Sequence, residues 1–188
     1  MQTPAFDASV EVRPNLILVG FMGSGKTVIG KLSAKALGFQ FLDSDQLIVD
    51  RSSRPIPEIF ASDGEEFFRD LETEVIVSLE RLTRCVISTG GGAVLREKNR
   101  QALRQLGFVV CLTAREEVLY ERVARNDKRP LLQTADPRKT LRDLLRSRSE
   151  AYAEAAHWTL DTSEMAHNAV VEAVTAAARE AFAWNRKM

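Results

Sequence analysis

The chain lacks net charge, has almost no cysteine or histidine, and contains no long apolar run; each absence removes a class of protein. Its 26 basic and 26 acidic side chains cancel, so nothing in the balance suggests a nucleic-acid arm or a membrane-surface patch, and anion binding falls to specific arginines. Only Cys85 and Cys111 are present, each inside an apolar stretch that reads as a buried strand. They are expected to be reduced core residues, which implies a reducing compartment. His157 and His167 have no metal-ligand spacing to each other or to the cysteines and read as structural. No apolar run approaches the roughly 18 residues of a membrane span. Residues 1–14 lack the basic start and apolar centre of a secretory signal. They read as a poorly ordered extension of a cytoplasmic protein. At 188 residues the remainder suits one domain with a core on both faces of a sheet.

What is present starts with Gly20 to Thr27, GFMGSGKT, directly after the apolar run LILV. It fits the phosphate-cradling loop G-x-x-x-x-G-K-[ST] at every fixed position. Glycines let successive backbone N–H groups turn towards phosphate oxygens, a lysine neutralises charge on the β and γ phosphates, and the final hydroxyl can ligate Mg²⁺. Gly23, Ser24, Gly25, Lys26, Thr27 and Val28 are therefore the candidate ATP-phosphate contacts, at the positive end of the following helix.

Strand-length apolar runs recur at 15–19, 39–42, 85–88, 108–112 and 158–160. Between them, 28–37, 65–82, 96–106, 116–124, 140–155 and 166–182 carry apolar residues three and four apart. Alternating β and α elements predict an α/β fold, a parallel sheet between two helix layers. Ligands of such sheets sit beyond the carboxyl ends of the strands, which singles out GFMGSGKT, DSD at 43–45, TGGG at 89–92 and DTSE at 161–164.

Asp43 and Asp45, two apart on an emerging strand, are expected to point to opposite sides. Asp43 suits the metal, through water, and Asp45 the attacking hydroxyl. Taken alone, DSD reads equally well as a helix cap by Ser44 or Asp45. Gly90, Gly91 and Gly92 leave room for a ligand to approach backbone N–H groups, or form an ordinary turn. Arg69 precedes Glu72 by three on a helix, so Glu72 can hold a guanidinium fork suited to a carboxylate; a solvated surface pair is the alternative. The segment from Arg122 through Arg125 and Arg129 to Pro130 reads as a mobile lid that closes over ATP, or as a solvated charge run. Composition does not choose among Arg142, Arg146 and Arg148.

Taken together, GFMGSGKT, FLDSD, EEFFRDLETEVI, VISTGGGAVL, KRPLL and LDT resemble the shikimate kinases, small P-loop proteins of the nucleoside-monophosphate-kinase-like group. The resemblance spans almost the whole chain, and R-x-x-E leading into S-x-G-G-G-x-V is its most distinctive part. It implies a three-layer α/β/α P-loop kinase fold with a five-stranded parallel sheet, a helical acceptor-binding insert at about 44–71 and a lid at about 125–136. It implies transfer of the ATP γ phosphate to the 3-hydroxyl of shikimate, with one Mg²⁺ per subunit and no nucleic acid or membrane partner; the expected state is a monomer. By motif position, Asp45 would act at the attacking oxygen, Arg69 would clasp the acceptor carboxylate, and Gly91 would meet the acceptor through its backbone. Arg129 would reach the ATP phosphates, and Thr27 would bind Mg²⁺ with Asp43 behind it. The family's R-x-P-L-Y selects Arg148, four before Tyr152, although the stretch here is RSEAY. The loop after Asp161 lacks the usual basic and proline residues, leaving Arg122 or Arg125 to stack on the adenine. A kinase for another small hydroxylated acid such as gluconate, or a noncatalytic nucleotide-binding homologue, are the competing readings.

Overall fold

In the computed structural model, which describes residues 13–124 and 136–184, β1 (Leu16–Val19) occupies the centre of the sheet. The other strands are β2 (Gln40–Asp43), β3 (Cys85–Ser88), β4 (Phe108–Thr113) and β5 (Trp158–Asp161). All pair in parallel in the order β2-β3-β1-β4-β5. The expected five-stranded parallel α/β sheet is therefore the observed one. The chain crosses from β1 to one flank and later to the other, so the crevice at the carboxyl end of β1 is a topological switch point.

Alternation along β1 builds both layers. Leu16 and Leu18 join Ile29 and Ala34 of α1 (Lys26–Leu37) and Val170, Val174 and Ala178 of α8 (His167–Trp184). The small side chains Ala177, Ala178 and Ala181 of α8 pack into this layer. Ile17 and Val19 face the other way. They join Ile76 of α4 (Gly64–Ser78), Leu103 of α5 (Glu97–Leu106), Leu119 of α6 (Glu116–Ala124) and Leu141 of α7 (Pro137–Ala155). All four β1 side chains are fully buried, and burial of each contributes about 1.5–3 kcal/mol.

Asn15, predicted as strand, lies just before it. Its amide donates to Leu82 O and Leu106 O and accepts from Cys85 N at 2.7, 2.8 and 3.0 Å, tying the starts of the central strands together. The region after β2 forms α2 (Ser44–Ser52) and α3 (Ile56–Ser62), separated at Pro55, the N-cap of α3. Ile48, Ile59, Phe68 and Val75 give α2, α3 and α4 a small core of their own. The predicted helix over 65–82 ends at Ser78 and continues as a single 3-10 turn, Leu79–Arg81. Residues 1–12 and the lid expected at 125–136 lie outside the described residues, except for Asp136, whose side chain accepts from Lys139 N to cap α7. Among the described residues no helix is long and apolar enough to cross a membrane.

Candidate active site

The turn after β1 is held by its own lysine. Lys26 Nζ donates to Gly20 O and Phe21 O at 2.7 and 3.0 Å, with Lys26 buried at the first position of α1. Gly25 caps α1 at φ 94, a left-handed conformation that a side chain strains. Ser24 is buried, and Val28 is exposed on the first turn. Backbone N–H groups, a lysine and a helix N-terminus thus meet at one strand end, an arrangement that selects phosphate.

Beside it, Thr27 Oγ1 donates to Asp43 Oδ2 at 3.1 Å and lies 3.4 Å from Ser88 Oγ. Sheet register brings Asp43 opposite Ser88. Two hydroxyls and a carboxylate are hard oxygen donors suited to Mg²⁺. Among the described residues there is no group of three His, Cys, Asp or Glu that could hold a metal ion. Sequence reasoning passed over Ser88; its position at the carboxyl end of β3 was the available signal.

The two aspartates do not both lie on the strand. Asp43 ends β2, and Asp45 is already in the first turn of α2, so strand alternation does not separate them. Nor is Ser44 or Asp45 the cap: Asp43 Oδ1 accepts from Asp45 N at 3.1 Å. An extended residue immediately before a helix is where a side-chain oxygen meets the free N–H groups of the first turn. Ser44 is fully buried, and its Oγ accepts from Gly90 N at 3.0 Å, joining DSD to TGGG.

The glycine turn is ordered by Ala93 N donating to Gly90 O and Leu95 N to Gly92 O, at 3.2 and 3.0 Å. Its glycines make room for side chains as well as ligand. A Cβ on Gly90 would stand 2.4 Å from Asp45 Oδ1 and 3.1 Å from Glu72 Oε1; one on Gly92 would stand 2.3–2.6 Å from three guanidinium atoms of Arg69. Arg69 Nη1 donates to Glu72 Oε2 at 2.9 Å, and Nη2 and Nε reach Glu65 Oε1 at 3.0 and 3.3 Å. Arg69 is 8% exposed and Glu72 is 1% exposed, which excludes the solvated surface pair. Burial pushes the Glu72 carboxyl up, opposed by Arg69 and reinforced by the Asp45 charge. Burial works against the Arg69 charge, but Glu72 and Glu65 overcome it and raise its pKa.

Position separates Arg142, Arg146 and Arg148, the three arginines of α7 among which composition did not choose. Arg142 is exposed on Glu116 and Arg146 is exposed, whereas Arg148 is buried, sits 5.9 Å from the Phe21 ring centroid and reaches Gly91 O at 3.5 Å. Arg148, Gly91, Gly92 and Arg69 therefore belong to one assembly. A cleft of about 640 Å³ at the end of β2 is lined by Thr27, Lys31, Phe41, Asp43, Asp45 and Ile56.

On the other side of the phosphate turn, Arg122 donates to Gly23 O and Thr162 O, both at 3.4 Å. With Ser24, Ile29, Met165 and His167 it lines a cleft of about 40 Å³. Arg125 and Arg129 lie outside the described residues. His157 Nδ1 accepts from Val109 N at 3.0 Å, a structural role as expected. Cys85 and Cys111 are buried and free, and burial pushes the Cys111 thiol up to about 11.

A family model described as shikimate kinase matches residues 22–179. A shikimate kinase of Ruegeria pomeroyi is 47% identical over 86% of this chain and 83% of its own length. One of Thermodesulfovibrio yellowstonii is 43% identical over 85% of this chain and 92% of its own. Among solved structures, shikimate kinase from Acinetobacter baumannii in complex with shikimate superposes with a TM-score of 0.82 at 42% identity, covering 86% of this chain and 90% of that one.

Proposed function

This chain belongs to the shikimate kinase family, and on that premise we propose how its residues transfer the γ phosphate of ATP to the 3-hydroxyl of shikimate in aromatic amino-acid synthesis. The observation that carries the proposal is the buried Arg69–Glu72 pair against Gly92, beyond the same strand ends as the phosphate turn. An oriented guanidinium there is a receptor for a carboxylate on a small acceptor.

In this account the insert formed by α2, α3 and the start of α4 covers the acceptor, whose carboxylate lies between Arg69 and Arg148 and whose ring rests on the backbone at Gly90 to Gly92. Asp45 contacts the ring hydroxyls, orients the attacking oxygen and takes its proton; general-base assistance of this kind is worth about 10²–10⁴-fold. The backbone from Gly23 to Val28 and the Lys26 ammonium cradle the phosphates, and Arg122 stacks on the base. Arg129, outside the described residues, is assigned by its motif to the transferred phosphate. Thr27 and Asp43, with Ser88 beside them, would hold Mg²⁺, which when bound neutralises charge on the β and γ oxygens. Asp43, whose Oδ2 accepts from Thr27 and whose Oδ1 accepts from Asp45 N, would act through water. The positive charge for the acceptor is local, consistent with a chain whose formal net charge is zero.

The test is ADP release from Mg-ATP by the purified chain with shikimate, gluconate or no acceptor. Release with shikimate alone is expected. Equal release with gluconate, or tight ATP binding without turnover, would overturn the proposal.

A further inference from the structure

We propose that Tyr152, which the scheme above leaves unused, is a positioning residue for the acceptor carboxylate site, acting through the single peptide between Gly91 and Gly92. The inference rests on the functional reading just given.

Tyr152 lies on α7, one turn beyond Arg148, and is 7% exposed. Its hydroxyl donates to Gly91 O at 2.5 Å, the carbonyl that Arg148 Nη1 approaches at 3.5 Å. That carbonyl and the N–H of Gly92 belong to one rigid plane. Holding the oxygen therefore sets the direction of Gly92 N–H and the path of the chain into Gly92 Cα. Gly92 Cα in turn lies against Arg69, and a side chain added there would displace the guanidinium. One peptide plane is thus held at its oxygen from α7 and packed at its far end against the arginine of α4. Its placement sets how Arg69 and Arg148, two cations, face each other across a carboxylate.

Tyr152 belongs to the core cluster but also lines a cleft of about 200 Å³ with Phe21, Cys111, Leu145, Ser149 and Thr159. A phenyl ring without the hydroxyl has space to shift there, and the Gly91 carbonyl would lose its closest donor. Burial also pushes the phenol well above its ordinary range, so Tyr152 stays a neutral donor across the working pH range.

The experiment compares wild type with Tyr152→Phe, which removes only the hydroxyl. The readouts are KM for shikimate, KM for ATP, kcat and melting temperature. The expected result is an approximately tenfold rise in shikimate KM, with ATP KM and kcat within about twofold and melting within a few degrees. An unchanged shikimate KM would overturn the proposal. So would a parallel worsening of both KM values with a lowered melting temperature, because that assigns Tyr152 to packing alone. Combined with Arg69→Lys, the rise should be smaller than the product of the two single effects, since both act on one carboxylate site; a simple product would also overturn it. Wild type without shikimate-dependent turnover would instead remove the functional reading beneath, a result separable from any behaviour of Tyr152.

Discussion

Asp43 Oδ1 accepts the amide of Asp45 at 3.1 Å while Asp43 Oδ2 accepts the Thr27 hydroxyl at 3.1 Å. One carboxylate therefore fixes both the start of the helix that carries Asp45 and the Thr27 side chain at the glycine-rich turn. In the proposed scheme it would couple the metal site to the acceptor site.

Asp43→Asn separates the two jobs. Asn caps helices about as well as Asp, whereas Ala costs about 0.5–2 kcal/mol. Asn should keep the melting temperature near wild type while raising the Mg²⁺ concentration needed for half-maximal turnover; Ala should lower both stability and activity. A magnesium titration beside thermal melts checks this, and an unshifted titration for Asn would remove Asp43 from the metal.

Asp45→Asn should lower kcat by about 10²–10⁴-fold while leaving nucleotide binding intact. Steady-state turnover and a fluorescent-nucleotide titration read the two separately. Near-normal turnover would exclude Asp45 from the proton transfer.

Gly92→Ala should reach the acceptor site through Arg69. The added methyl would stand 2.3–2.6 Å from the guanidinium, and the flexible side chain gives way before the backbone does. Shikimate KM should rise at least tenfold with little change in ATP KM. Arg69→Lys should act in the same direction, because a point charge replaces a two-pronged donor. Acceptor titrations of both variants are the check, and an unchanged KM in both would contradict the assignment of Arg69.

His157 should make the fold acid-sensitive. Burial, aided by the Arg104 charge, lowers its pKa from 6.5 to about 4. Between those values the unfolded chain holds a proton that the native chain does not, so this contribution to stability falls as pH drops from about 6.5 towards 4 and then levels off. His157→Asn can keep an acceptor for Val109 N without titrating. Melting temperature measured from pH 7 to 4 should decline less steeply in that variant; identical slopes would exclude His157 as the cause.

Much of this molecule is written locally. LILV before GFMGSGKT identifies strand, phosphate turn and helix because each part obeys a short-range rule: apolar content, glycine at positive φ, a lysine at the helix start. The parallel sheet follows from strands alternating with helical periods, and Arg69 with Glu72 follows from helical spacing. The end of β2 was harder to read because Asp43, Ser44 and Asp45 are all good capping residues, and only the packed backbone decides which of them caps.

What tertiary structure alone decided is which groups far apart in the chain share a space. Ser44 meets Gly90, Ser88 meets Thr27, and Tyr152 and Arg148 meet Gly91, contacts that no periodicity encodes because each depends on strand order and helix seating. The sequence by itself determined the elements and the phosphate-binding chemistry, since backbone sterics and side-chain charge act over a few residues. Burial separated Arg148 from Arg142 and Arg146 and turned the Arg69–Glu72 spacing into a desolvated ion pair, because the exclusion of water is a property of the whole packed fold.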